Sequence, residues 1–210
     1  MADQIRRIGI LGGTFNPIHL GHLIFAQSAA EALKLDSIWF MPAGNPPHKQ
    51  HLKGIVSNEH RLEMVRLSIA SNPDFELNTY EVEKNGLSYT HETLEAFKEM
   101  HPRDDYYFLI GQDSLRDFET WKHPEIIASQ AHLVAAVRPG AGDKADIYET
   151  AERLSAKYNG DFIVIETPAI EISSSDIRKK VREMSSFRYL VRDEVFDYIL
   201  KNHLYADTED

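Results

Sequence analysis

Three glycines and two histidines crowd one short stretch near the start of the chain, where Gly12, Gly13, Thr14, Phe15, Asn16, Pro17, Ile18, His19, Leu20, Gly21 and His22 run consecutively. The glycines let a backbone turn tightly beside a ligand. If a helix begins near His19, both imidazoles leave it from neighbouring positions on one face. They then stand beside free N–H groups and a helix dipole that attract phosphate. A plain tight turn with two packed or solvated histidines fits the same letters. Metal ligation is a third reading, since His48 and His51 repeat the spacing. Against it, no carboxylate is placed as a further ligand, and structural zinc sites usually include thiolates.

Two other segments hold candidate anion ligands. Met41 to Lys49 reads as a rigid, proline-punctuated loop ending in His48 and Lys49, whose fixed path reduces the entropy lost on gripping an anion. It also reads as an ordinary solvated loop. Near the other end, Ile172, Ser173, Ser174, Ser175, Asp176, Ile177 and Arg178 look like a loop running into a helix. The serines can cap that helix or bind phosphate, and Arg178 can present a planar fork to phosphate oxygens.

The elements that must position these groups follow from the hydrophobic pattern. Strands are predicted at 5–11, 37–41, 75–82, 105–110, 131–137 and 161–165. Helices are predicted over 20–34 and from a Ser57 cap to about 70. Leu94, Phe97 and Met100 mark one face of another helix, and Ile147, Ala151, Leu154 and Tyr158 repeat as an amphipathic stripe. Beyond residue 173 two further helices are expected, the second carrying Val195, Phe196, Ile199 and Leu200 on one face. Strands alternating with helices predict a doubly wound α/β fold with a mostly parallel sheet and a C-terminal helical segment packed on it, all in one domain over 1–210. In that architecture ligands bind at the carboxyl ends of the strands, so the loops following strands are where the site belongs.

Composition narrows the class. The 210 residues carry 33 acidic and 23 basic side chains, a formal charge of −10 with no long basic block, so binding through the phosphates of nucleic acid is not expected. No cysteine is present, which excludes disulfides, thiolate metal sites and a cysteine nucleophile. The first residues lack the apolar core of a signal peptide, and no apolar run is long enough to cross a bilayer. A cytoplasmic protein with no membrane partner is the expectation.

Taken together, the histidine string after the first strand and the serine-arginine string after the last resemble the paired signatures of the nucleotidylyltransferase superfamily. GGTFNPIHLGH, the PPHK loop, SYTHETL, GQDSLRDFETW, VAAVRPG and ISSSDIR resemble, in order and spacing over essentially the whole chain, the bacterial nicotinate-nucleotide adenylyltransferases. That resemblance implies a Rossmann-like fold and transfer of an adenylyl group from ATP to nicotinate mononucleotide, giving deamido-NAD and pyrophosphate. It implies that His19, His22 and Arg178 are catalytic. ATP would meet Gly12, Gly13, Thr14, Phe15, Gly111, Asp113, Ile172, Ser173, Ser174 and Arg178. Nicotinate mononucleotide would meet His48, Lys49, Tyr89, Thr90, Trp121 and Arg138, with Trp121 against the pyridine ring and the Thr90 helix start receiving the carboxylate. Trp121 also reads as a core aromatic.

No enzyme nucleophile is needed, and Mg2+ would arrive on the ATP phosphates without a protein metal site. The partners are thus ATP and the pyridine nucleotide, and a homodimer is an assembly the reading allows. Two residues depart from the family's habit: Ser175 stands where threonine is frequent, and Arg192 where proline is common. The competing expectations are an adenylyltransferase for nicotinamide mononucleotide or another phosphorylated acceptor, and a non-catalytic nucleotide sensor.

Overall fold

The computed structural model describes residues 5–44, 54–84, 86–137 and 144–206. Six strands, β1 (Arg7–Gly13), β2 (Ser37–Pro42), β3 (Phe75–Leu77), β4 (Asp105–Ile110), β5 (His132–Val137) and β6 (Phe162–Glu166), form one sheet in the order β3-β2-β1-β4-β5-β6. Every neighbouring pair is parallel. The expected doubly wound parallel fold is therefore what the chain adopts.

Helices cover both faces: α1 (Leu20–Leu33), α2 (Asn58–Ile69), the single turn α3 (Tyr80–Glu83), α4 (Thr90–Met100), α5 (Gln112–Arg116), α6 (Pro124–Gln130), α7 (Lys144–Tyr158), α8 (Ser174–Arg182) and α9 (Asp193–Lys201). Successive strand residues point to opposite sides of a sheet, and the core divides accordingly. Trp39, Met41, Tyr106, Phe108 and Ile110 pack with Leu94 and Phe97 of α4, Ile127 of α6 and Ile147, Ala151 and Leu154 of α7. Ile38, Phe40, Tyr107 and Leu109 pack with Ala26 of α1, Met64 and Val65 of α2, Ile177 of α8 and Val195 and Ile199 of α9. Strand order reverses across β1, which has β2 on one side and β4 on the other. The crevice over the carboxyl ends of β1 and β4 is the position such folds reserve for ligands.

Three expectations need correction. The strand predicted over 75–82 ends at Leu77, because the Asn78 side chain accepts the Tyr80 N–H at 3.0 Å and turns the chain into α3. Met100, placed on the buried face of α4, is 52% exposed at the helix's last residue. Leu200 is 49% exposed, since the buried stripe of α9 runs through Val195 and Ile199 and the next residue lies about 100° further round. The other predicted strands and helices lie within a few residues of their expected bounds, with Ser57 at the N-cap position of α2 but making no side-chain capping bond, while α5 and α6 have no counterpart among the predicted helices.

Candidate active site

A cleft of about 940 Å³ opens over the carboxyl ends of the central strands. Gly12 and Gly13 at the end of β1, Thr14 after it, Ala43 after β2 and Gly111 after β4 line it, with His22 from α1. Its further wall is built from Glu81, Ser88, Tyr89, Thr90, Asp117, Trp121 and Lys122. Its size is that of a pocket for a small-molecule ligand.

At the glycine end, His19 is the residue before α1 and His22 lies in its first turn. The His19 N–H donates to Nδ1 of His22 at 3.2 Å, and the two rings stack with centroids 3.7 Å apart. That bond makes Nδ1 the acceptor, so a neutral His22 carries its proton on Nε2. His22 also meets Phe15 edge-on at 5.1 Å. His19 is buried, which pushes its pKa down to about 4 and keeps the ring neutral at pH 7. Among the described residues its Nδ1 makes no hydrogen bond of normal geometry, although the side chain faces the His22 N–H in a capping-box arrangement. Gly21 makes room for this ring: a Cβ there would stand 3.0 Å from His19 Nδ1 and 3.9 Å from Ile172 Cβ.

The serine-arginine segment comes to the same place. Ser173 caps α8 by accepting the Asp176 N–H at 3.1 Å. Ser174 Oγ donates to the Pro17 carbonyl at 2.8 Å, and Arg178 Nη1 donates to the Asn16 carbonyl at 3.0 Å. Arg178 also reaches Ser175 Oγ at 3.4 Å. Residues 16–17 and 174–178, far apart in sequence, are thus in direct contact beside the cleft. None of Ile172, Ser173, Ser174 and Arg178 belongs to the cleft lining itself.

The other end holds the aromatic groups. Tyr89 precedes α4, which begins at Thr90, and both line the cleft. Trp121 is half-buried, edge-on to Phe108 at 6.2 Å and tilted on Phe118 at 5.7 Å, while still lining the cleft. The two readings of Trp121, core aromatic and cleft wall, are therefore compatible. Gly111 caps α5, and Asp113 lies in its first turn with its side chain 97% exposed. His48, Lys49 and Arg138 lie outside the described residues, as does His51 of the alternative zinc reading.

Residue-by-residue reading missed Arg61, Glu81 and Lys122. Arg61 is 2% exposed beneath the ends of β1 and β2. Glu81 is buried against the cleft, where it accepts from Thr93 Oγ1 at 3.0 Å and from the Gly44 N–H, and burial pushes its pKa up. Gly44 passes so close that a Cβ would lie 1.8 Å from the Glu81 carbonyl oxygen, a backbone approach only glycine permits. Lys122 holds its Nζ 4.0 Å from the Tyr89 ring centroid, and among the described residues no carboxylate pairs with it. Its place next to Trp121 in the sequence was the signal available for Lys122. Nothing in the letters distinguished Arg61 from a surface arginine of α2.

Comparison with known proteins sets the class first. The family model described as Cytidylyltransferase-like matches residues 10–180, which contain both signature segments. A protein of Clostridium acetobutylicum named probable nicotinate-nucleotide adenylyltransferase is 41% identical over 96% of this chain and 100% of its own. A Lactiplantibacillus plantarum protein of the same name is 42% identical over 97% of this chain and 90% of its own. The chain belongs to the nicotinate-nucleotide adenylyltransferase family within the cytidylyltransferase-like class. Its fold matches Plasmodium falciparum nicotinic acid mononucleotide adenylyltransferase, solved complexed with NaAD, at TM-score 0.76 and 21% identity over 95% of this chain and 97% of that one.

Proposed function

We propose that the chain transfers the adenylyl group of ATP to nicotinate mononucleotide, forming deamido-NAD and releasing pyrophosphate. The observation that carries this reading is the contact between the two signature segments: Ser174 and Arg178 donate to the carbonyls of Pro17 and Asn16, two and three residues before His19. One triphosphate can then lie against donors from both. In the reaction a phosphate oxygen of the pyridine nucleotide forms a bond to the α-phosphorus while the bond to the bridging oxygen of pyrophosphate breaks in line with it. No group of the protein is covalently modified, so its work is to orient two anions and stabilise charge.

Within this reading His22 offers its Nε2–H to the α-phosphate, and the neutral His19 holds it by ring stacking and a backbone bond. Arg178, Ser173 and Ser174 with the Ile172 turn serve the outer phosphates. Gly12, Gly13, Thr14 and Phe15 serve the phosphates near the turn, and Gly111 and Asp113 the adenosine ribose. Among the described residues no three carboxylates or imidazoles converge to hold a metal. Magnesium carried by ATP would keep phosphate and water ligands, and no step is routed through it. Cytoplasm is the setting we assign; among the described residues no helix is long and apolar enough to cross a membrane.

At the acceptor end Trp121 offers an aromatic face to the pyridine, and the first turn of α4 offers backbone N–H groups to its carboxylate. Lys122 favours the acid over the amide, because an ammonium without a carboxylate partner interacts more strongly with a carboxylate than with a carboxamide. His48, Lys49 and Arg138 remain assigned to this substrate by family resemblance. The test is incubation with Mg-ATP and each mononucleotide in turn, with pyrophosphate measured and the dinucleotide identified by mass. We expect the acid to be turned over at least about 10-fold more efficiently than the amide, and Trp121→Ala to raise KM for the pyridine nucleotide more than for ATP. ATP left intact with every acceptor would favour the sensor reading instead.

A further inference from the structure

Arg61 is a cation buried without an anion. Its Nη1 donates to the Thr14 carbonyl at 2.8 Å, and its Nη2 to the Ala43 carbonyl at 2.7 Å and to Asn58 Oδ1 at 2.5 Å. Among the described residues no carboxylate forms an ion pair with it, and Nε is buried with no partner. A buried guanidinium satisfied only by neutral oxygens is an expensive way to cap two carbonyls. Its location suggests what that expense serves.

Thr14 and Ala43 open the loops that leave β1 and β2, and both line the cleft. Because a trans peptide sets its C=O and the following N–H in opposite directions, a carbonyl turned to Arg61 turns the next amide away from it. For Ala43 the next amide is Gly44, whose N–H reaches the Glu81 carboxyl on the cleft wall. For Thr14 the next amide is Phe15, whose N–H has no acceptor among the described residues. Phe15 itself sits at φ +47°, a left-handed conformation uncommon for a bulky residue, with its ring 2% exposed. Such a conformation persists where its surroundings over-determine it. Here they do so from two sides, by core packing of the ring and by the Arg61 grip on the preceding carbonyl.

We propose that Arg61 is a positioning residue for adenylyl transfer, which by holding the Thr14 and Ala43 carbonyls aims the Phe15 amide at the nucleotide phosphates and fixes the two loop ends at one spacing. The proposal rests on the function assigned above for its catalytic readout but not for its binding readout. Only a planar fork spans both carbonyls from one side chain; a lysine ammonium is a point donor on a flexible stem.

The experiment uses the full chain with Arg61→Lys, Arg61→Gln and the milder Asn58→Ala, each first checked for native circular dichroism and cooperative melting. Mg-ATP affinity is measured by calorimetry, and the Phe15 amide is followed by 15N-labelled phenylalanine during an ATP titration. We expect Arg61→Lys to weaken ATP binding about 10-fold and to lower kcat by at least as much, with KM for the mononucleotide changed less than about 3-fold. The Phe15 amide signal should move with ATP in the wild type and lose that response in the variant. Asn58→Ala should weaken ATP binding about 3-fold, which keeps the test open if neither Arg61 variant folds. Folded variants binding ATP like the wild type, or losing ATP and mononucleotide equally, would overturn the proposal. A wild type that binds ATP but makes no dinucleotide would instead sink the assigned reaction and leave the calorimetric comparison standing.

Discussion

The two rims of the sheet are built to opposite rules. At the amino ends of the strands, charged groups finish their bonds with one another: Arg6 pairs with Asp104, and the Arg7 guanidinium donates to Tyr107 Oη at 2.6 Å, which in turn donates to Asp105 at 3.0 Å. His132 lies 2.8 Å from both Asp105 and Asp161 with its ring stacked on Tyr107. At the carboxyl ends the pairing stops short. Among the described residues Arg61 has only neutral acceptors and His19 Nδ1 no partner of normal geometry, Lys122 rests on a ring, and burial raises the pKa of Glu81. One rim contributes stability; the other keeps binding capacity for a polyanion at some expense to stability.

The contrast is broken most severely at the ligand rim. His22→Ala and Arg178→Ala should each lower kcat by about 10²- to 10³-fold, the size seen when one donor to a developing charge is lost, while both proteins stay folded. Steady-state kinetics with ATP varied would check this, and wild-type turnover in either would remove that residue from the mechanism.

A smaller effect is expected in the pH dependence of stability. His19 titrates at 6.5 in the unfolded chain and at about 4 when folded, so between those values the unfolded state binds more protons. Stability from this group is complete above pH 6.5 and is lost as pH falls toward 4. The integrated loss is on the order of 3 kcal/mol. Urea unfolding at pH 7 and pH 4.5 should show a smaller difference in His19→Asn than in the wild type; equal differences would show that the ring is not held neutral.

The weakest disturbance belongs to the paired rim. His132→Ala should reduce stability by about 1 kcal/mol or less, because its carboxylate partners are partly exposed to water. Its kcat should match the wild type. A fall in kcat there would mean that the two rims are coupled through the strands.

What the sequence made legible was set by periodicity and by motif spacing. Alternation and helical stripes located the strands and the longer helices, down to the Ile147, Ala151 and Leu154 stripe of α7, but not the short α5 and α6, which span too few turns to show a stripe. They failed where one polar side chain overrides a β-prone run, as Asn78 does after β3, and at helix ends, where Met100 and Leu200 clear the core. The glycine-histidine and serine-arginine strings were readable because their spacing is local. Arg61 was not, since its role is defined by carbonyls 47 and 18 residues away. Backbone acceptors leave no mark on residue type. Gly44 was equally opaque: only the approach of the Glu81 carbonyl reveals why it must be glycine.

The bond from Ser174 to Pro17 spans 157 residues, and that from Arg178 to Asn16 spans 162. Contacts of such range form late, after the intervening loop has closed. A nascent chain that has emerged only as far as α7 lacks every donor from α8 together with Ile177, Val195 and Ile199 of the core, so the last fifth of the polypeptide completes one face of the fold and the phosphate site at the same stroke.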